Sequence, residues 1–384
     1  MDVSFLVLAV IITALVFDFT NGFHDTANAM ATSIATGALR PKVAVAISGV
    51  LNLVGAFIST AVAKTISGGL VDDAKITPAI IFGGLVGAIL WNLATWLLGL
   101  PSSSSHALFG GLIGAVWIGS GSGAINFDAV VEKIIVPAVA SPIVCGTVAL
   151  IGTFLAYRLT RRARQESVSR SFKYGQTVSA SMVSLAHGTG DAQKTMGVIT
   201  LVLITSGSLA PDSGPPVWVI LCAGLAIAFG TYMGGWRIIR TMGKSLTDVE
   251  PPQGFAAETS STAVLLAASH LGFPLSTTQV CSGGILGSGL GRRLAEVRWT
   301  VAGRMALAWL FTMPVAAVIG GLAAKVSSSG NAGTIVVGVV AAMAMAAMWL
   351  YSRRAPITSS NVNDVVDAPL LPPTVPSPPL AAAA

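Results

Sequence analysis

Apolar residues run along this chain in long stretches, and the polar residues that interrupt them are clustered rather than periodic. The stretches are Val3–Leu39, Lys42–Ala63, Pro78–Gly99, His106–Gly119 and Ala129–Tyr157, then Tyr174–Thr205, Val217–Ile239, Phe255–Leu271, Gln279–Leu290, Val301–Ala324 and Ile335–Tyr351. About 20 such residues cross a hydrocarbon core as a helix. Val3–Leu39 exceeds one crossing, and its polar cluster Asn21–Asn28 predicts a break, as two half-helices or one long broken helix. Tyr174–Thr205 is predicted to break likewise at His187–Lys194, whereas Lys42–Ala63 and Val217–Ile239 read as plain spans. His106–Gly119 and Gln279–Leu290 are short for a crossing and follow the clusters Pro101–Ser105 and Pro274–Thr278. Both pairs predict re-entrant hairpins whose tips stop inside the membrane, where irregular backbone persists only within protein or a water-filled cavity.

The interruptions come in pairs. Gly99-Leu100-Pro101-Ser102-Ser103-Ser104-Ser105-His106 is echoed 173 residues later by Gly272-Phe273-Pro274-Leu275-Ser276-Thr277-Thr278-Gln279. Asn21-Gly22-Phe23-His24-Asp25-Thr26-Ala27-Asn28 is echoed 166 residues later by His187-Gly188-Thr189-Gly190-Asp191-Ala192-Gln193-Lys194. Paired interruptions in two halves are the mark of a secondary transporter with a midplane site. The expected fold is an all-α polytopic membrane protein with two inverted-topology repeats, broken helices and re-entrant hairpins. Its divisions are a first repeat over 1–157, a basic cytoplasmic loop over 158–173, a second repeat with C-terminal spans over 174–352, and a disordered Pro-rich tail over 353–384.

Composition agrees: of 384 residues 53% are hydrophobic and 10% charged, against about 25% charged in soluble domains. The net charge of +6 reflects topology rather than nucleic-acid binding, because the basic residues sit in short loops. Placing Arg158–Lys173 in the cytoplasm also puts Arg40, Lys42, Arg237, Arg240, Lys244, Arg292, Arg293, Arg298, Arg353 and Arg354 inside, sixteen of the 22 Lys and Arg residues. That orientation leaves the N-terminus outside, as a retained first helix, and the tail in the cytoplasm of a plasma-membrane protein. Cys145, Cys222 and Cys281 lack metal-like spacing and read as small buried side chains. The expected partners are the lipid bilayer and a small anion; a homodimer stays open.

Ionisable residues inside spans are functional candidates by default. The first cluster offers Asn21, His24, Asp25 and Asn28; the second offers His187, Asp191, Gln193 and Lys194. A structural alternative has each Asp cap a helix start or pair with Lys194. The tips offer Ser103, Ser104 and Ser105, with Ser102 before them, and Ser276, Thr277 and Thr278. Each tip precedes a helix, so hydroxyls and free backbone N–H groups make an anion cradle. Carboxylates nearby accept hydrogen bonds from P–OH groups and repel fully ionised sulfate, which favours phosphate. Asp18 and Glu258 are further acids in apolar surroundings, at an outer vestibule and an inner entrance, or simply hydrated near helix ends. His24 beside Asp25 is either a proton relay or a neutral, hydrogen-bonded imidazole. Gly188-Thr189-Gly190-Asp191 also spells the GxGD of intramembrane aspartyl proteases, the rival reading, with a transporter or channel for another oxyanion as a third.

The motifs Asn-Gly-Phe-His-Asp-Thr-Ala-Asn-Ala, Gly-Leu-Pro-Ser-Ser-Ser-Ser-His-Ala, His-Gly-x-x-Asp-Ala-Gln-Lys-x-Met-Gly and Pro-Leu-Ser-Thr-Thr, with Gly254–Thr259, closely resemble the signatures of the PiT inorganic phosphate transporters. The resemblance covers roughly 1–352. It implies an ion-coupled phosphate symporter and no enzyme, with no cofactor beyond co-transported H+ or Na+. It puts Asp25, Asn28, Asp191 and the two tips at the substrate and cation sites. With the polar clusters added, the expected phosphate site is Asp25, Asn28, Ser103–Ser105, Asp191, Gln193, Lys194 and Ser276–Thr278, and the expected coupling-ion residues are Asn21, His24, Asp25, Asp191 and Glu258, with Na+ the alternative near Asp25, Asn28 and Asp191. His24 stands where many members have Asn, Gly190 where Asn is usual, and Gln279 where His is common. These departures lean toward protons.

Overall fold

The computed structural model describes residues 4–71, 75–292 and 297–364. Within them the chain is helical, and no strand is present beyond two isolated bridges, Val71 to Ile125 and Thr247 to Val297. The helices are α1 (Phe5–Ala35), α2 (Pro41–Gly55), α3 (Ala61–Gly69), α4 (Pro78–Leu97), α5 (Ser104–Ser120), α6 (Phe127–Val130), α7 (Val136–Thr160), α8 (Gln165–Thr205), α9 (Val217–Met233), α10 (Trp236–Arg240), α11 (Pro251–His270), α12 (Thr277–Gly291), α13 (Trp299–Ser327) and α14 (Asn331–Ser352). Five are long and apolar enough to cross a membrane, counting Phe127–Thr160 as one, and the pair Val217–Met233 and Trp236–Ser245, bent by 61°, makes a sixth. Val139 and Ile143 of α7, Leu310 and Val318 of α13 and Val339 of α14 are apolar and exposed. Such faces suit lipid, and the chain is a multi-pass membrane protein.

Two expectations trade places. The polar clusters do not break their helices: α1 runs unbroken for 31 residues and α8 for 41. The motif glycines serve a different need. A methyl on Gly22 would collide with the Ile227 carbonyl of α9, and one on Gly188 with Asn52 of α2. These two matched positions let helices cross backbone to backbone. The spans expected to be plain are the interrupted ones. Lys42–Ala63 splits into α2 and α3, and Val217–Ile239 bends between α9 and α10 at Gly234, whose φ is 73°.

Each Pro-hydroxyl cluster joins two helices as a hairpin, α4 to α5 and α11 to α12. Gly99 (φ 65°) and Gly272 (φ 76°) end α4 and α11 in the left-handed conformation that glycine adopts without a Cβ penalty. Ser103 then caps α5 by accepting from the His106 N–H at 3.1 Å, and Ser276 caps α12 by accepting from the Gln279 N–H at 3.3 Å. Each hairpin is clasped by a long helix from the other half of the sequence. α13 lies along α4 and α5, with Trp91 Nε1 donating to Thr312 Oγ1 (3.0 Å) and Trp309 Nε1 to the Pro101 carbonyl (2.9 Å). α7 lies along α11 and α12. Both clasps carry an internal proline, Pro142 in α7 and Pro314 in α13.

Two loop expectations also change. The basic segment 158–173 is mostly helix, because α7 reaches Thr160 and α8 starts at Gln165. Residues 353–364 of the expected tail pack against the helices. Arg237 donates to the Ser352 and Ala355 carbonyls at 2.8 and 2.7 Å, Asn363 Nδ2 donates to the Ile34 carbonyl at 3.3 Å, and Val362 is buried in the core around the C-terminal half of α1. Residues 365–384 of the expected tail lie outside the described residues. Cys145 and Cys281 are buried as expected, and Cys222 is partly so.

Candidate functional site

The continuous α1 lines up Asp18, Asn21, Asp25, Asn28 and Thr32 at alternating spacings of three and four, one face of a helix. All five are buried. This polar stripe meets α8, where His187, Asp191 and Lys194 share a face by the same rule. Asp25, Asn28, Thr32, Asp191 and Lys194 find side-chain partners within the protein without any opening of the backbone hydrogen bonds of α1 and α8.

The two tips close on this seam. Ser104 Oγ donates to Asp25 Oδ2 at 2.7 Å. From the other tip, Thr277 Oγ1 reaches Asp25 Oδ2 at 3.2 Å and Asp191 Oδ2 at 3.3 Å, and Thr278 Oγ1 reaches Asp25 Oδ1 at 3.3 Å. Asn28 Nδ2 donates to both threonine hydroxyls, at 3.2 and 3.1 Å. Lys194 pairs with Asp191 and donates to Ser105 Oγ at 2.6 Å. The tips touch each other where Ser105 Oγ donates to the Leu275 carbonyl at 3.3 Å. Ser104, Ser105, Thr277 and Thr278 are all buried. Hydroxyls from two hairpins, one ammonium and two carboxylates therefore face one point.

A histidine backs each aspartate. His24 Nδ1 lies 2.7 Å from Asp25 Oδ1, and its Nε2 lies 3.3 Å from both Thr95 Oγ1 and Ser102 Oγ. His187 Nε2 lies 3.2 Å from Asp191 Oδ2, with Nδ1 3.2 Å from Asn52 Oδ1. Asn21 Nδ2 donates to Asp191 Oδ2 at 3.4 Å. Asp25, His187 and Asp191 each offer a ligand atom within 4.8 Å of the others, a spacing that one cation can bridge.

Two sequence candidates stand elsewhere. Gln193 points to α3, where its Oε1 accepts from the Val62 N–H at 2.7 Å and the Ala63 N–H at 3.3 Å. It caps the helix that restarts after the interruption. Glu258 is buried among Thr32 (2.7 Å), Gln176 (3.2 Å) and Ser179. Thr32 is seven residues past Asp25, about 10 Å along the helix. Ser103 and Ser276 use an oxygen lone pair as helix caps, which leaves their O–H hydrogens unused by the caps. Sequence reasoning missed Asn52 and Thr95. Asn52, a carboxamide inside an apolar run, carried a usable signal; a lone threonine in α4 carried none.

Residues 21–320 match the model of the phosphate transporter family. The chain belongs to that family. It is 55% identical over 362 residues, 94% of this chain and 87% of the relative, to a "probable low-affinity inorganic phosphate transporter" of Mycobacterium bovis. A Bacillus subtilis protein of the same description is 40% identical over 324 residues, 83% of this chain and 96% of that one. Among solved structures, "the sodium-dependent phosphate transporter" superposes with a TM-score of 0.70 at 22% identity, over 84% of this chain and 99% of that chain, and so shares the fold. Family and relatives are transporters, not enzymes, which removes the intramembrane protease reading despite the nearness of Asp25 and Asp191.

Proposed function

We propose that the chain is a secondary active symporter that imports inorganic phosphate across the plasma membrane by alternating access, driven by a cation gradient. The observation that carries this is the convergence of Ser104, Ser105, Thr277 and Thr278 from two separate hairpins on Asp25, Asp191 and Lys194. A tetrahedral oxyanion carrying a P–OH group uses both kinds of partner at once: its bare oxygens accept from hydroxyls, first-turn N–H groups and Lys194, and its P–OH donates to a carboxylate. Sulfate, fully ionised, has no hydrogen to offer. Asn28 orients the two threonines, and Ser103 and Ser276 hold the helix starts that aim N–H groups at the anion. Gln193 has no part in binding; it holds α3.

The cavity between Asp191, Lys194, Leu275 and Thr277 is about 10 Å3, room for about one water. The tips must therefore part to admit phosphate, and the hydroxyls exchange their hydrogen bonds to carboxylates for bonds to the anion. Matched hairpins clasped by matched proline-containing helices support inverted repeats that part alternately on the two sides. Basic loops inside set the N-terminus outside and the tail in the cytoplasm.

Protons are the favoured coupling ion. His24 contacts Asp25 and bonds onward to Thr95 and Ser102, a chain that relays a proton between the site and the first hairpin. Na+ is the second reading, favoured by the clustered ligand atoms of Asp25, His187 and Asp191. Uptake of labelled phosphate into proteoliposomes, with pH and Na+ gradients imposed separately, decides. Uptake driven by an inward proton gradient alone is expected. Saturable uptake of sulfate instead of phosphate would defeat the substrate assignment.

A further inference from the structure

Away from the hairpin tips, a cavity of about 420 Å3 opens between α1, α4, α10 and α14. That is within the range of small-molecule sites, about 300–1,000 Å3. Val16, Phe23, Leu93 and Met345 give it apolar walls, and Arg237, Arg353 and Trp349 line it too. Met345 lies two turns of α14 before Arg353, so the apolar wall extends about 12 Å along the axis from the charge. The guanidinium of Arg237 is fixed by the carbonyls of Leu97, Ser352 and Ala355, which orient its charge without neutralising it. Arg353 stacks on Trp349, 4.1 Å from the ring centroid, and its guanidinium makes no hydrogen bond among the described residues. Arg240 and Arg354 adjoin these two in sequence. Among the described residues no acidic side chain lines the cavity, and none pairs with any of the four guanidiniums. Trp96 Nε1, a further donor on the lining, is buried without an acceptor.

We propose that this cleft binds one anionic phospholipid, with its phosphodiester on Arg353 and Arg237 and an acyl chain along Val16, Phe23, Leu93 and Met345. Guanidinium forks match phosphate oxygens, and basic pockets between membrane helices suit anionic headgroups. A tryptophan beside the charge belongs to the same headgroup level. A neutral lipid would leave the guanidiniums uncompensated. A free small anion would gain nothing from the apolar walls. Phe23 and Trp96 stand next in sequence to His24 and Thr95, so a bound chain packs against the two helix segments that meet at that histidine.

The test uses the full-length protein in detergent with an equimolar mixture of phosphatidylglycerol and phosphatidylcholine of identical chains, and counts retained lipid by native mass spectrometry. Wild type is expected to retain one phosphatidylglycerol in preference to phosphatidylcholine. Arg353→Ala should weaken its binding about fivefold, and Arg353→Lys should restore most of it. Met345→Trp fills the apolar part of the cleft, leaves both guanidiniums, and should weaken binding as well. Arg158→Ala, at the end of α7 and outside the cleft, should change nothing. A size-exclusion profile like wild type certifies the fold of each variant. Equal retention of the two lipids by wild type overturns the proposal, as does wild-type retention by Arg353→Ala or by Met345→Trp. An equal loss in Arg158→Ala would make the attraction a general one and overturn it too. Displacement of the lipid by excess inorganic phosphate would make the cleft a vestibule for a free anion instead. No uptake is measured, so the outcome is independent of the transport assignment.

Discussion

α1 and α8 carry the polar motifs and run unbroken; the α2–α3 and α9–α10 segments are apolar and interrupted. The contrast separates two requirements that a sequence blurs. Polar side chains inside a membrane need partners, and a neighbouring helix supplies them without disturbing the backbone. An interrupted backbone exposes its own N–H and C=O groups, and these need partners too. Here the long helices serve both needs. Gln193 of α8 caps the restart of α3, while Gly22 and Gly188 let the interrupted segments cross at close range. Asp25, Asp191 and Lys194 thus sit on the two long, unbroken helices, and the short segments pack around them.

The contrast breaks first at the carboxylates. Asp25→Asn or Asp191→Asn should abolish phosphate uptake in proteoliposomes while the protein still elutes as folded; wild-type uptake from both would detach the long helices from the chemistry. Next come the crossings. Gly188→Val drives a side chain into the Asn52 backbone, and overpacking of this kind costs about 1–3 kcal/mol or more. A clear drop in thermal midpoint and yield is expected, and an unchanged midpoint would mean that the crossing is loose. Ser104→Ala and Thr277→Ala each delete a hydroxyl bonded to a charged group, about 1.5–3 kcal/mol. Each should raise the half-saturating phosphate concentration by roughly tenfold to a hundredfold. The smallest effect on transport sharpens the contrast most. Gln193→Leu strips the cap from α3 and should lower the thermal midpoint, by about 1–3 kcal/mol of lost stability, yet shift phosphate half-saturation by less than about threefold. A large affinity loss in Gln193→Leu would return that residue to the anion site.

What could be read in advance follows the same division. The hairpins were legible because a glycine, a proline and a hydroxyl run have local conformational meaning, and Gly99, Ser103, Gly272 and Ser276 act locally. The pairing of Lys194 with Asp191 was legible from their spacing on a helix. The interruption after Gly55 was not, because its cause lies in Gln193 and Gly188 of another helix. Neither was the docking of Val362 and Asn363, since a segment of small polar residues and prolines gives no hint of the surface it meets. Thr95 was invisible for a similar reason: only the fold brings it to His24.

The clasping of each hairpin by a helix from the opposite half sets a schedule for biosynthesis. The first hairpin is complete at Ser120, but its clasp, Trp299–Ser327, emerges some 180–210 residues later. At about 5–20 residues per second, that is a wait of roughly 10–40 s. For that interval the serine-rich turn Pro101–Ser105 lacks the helix that covers it in the finished fold. The insertion machinery, or lipid with water drawn in, has to shelter it until the last spans arrive.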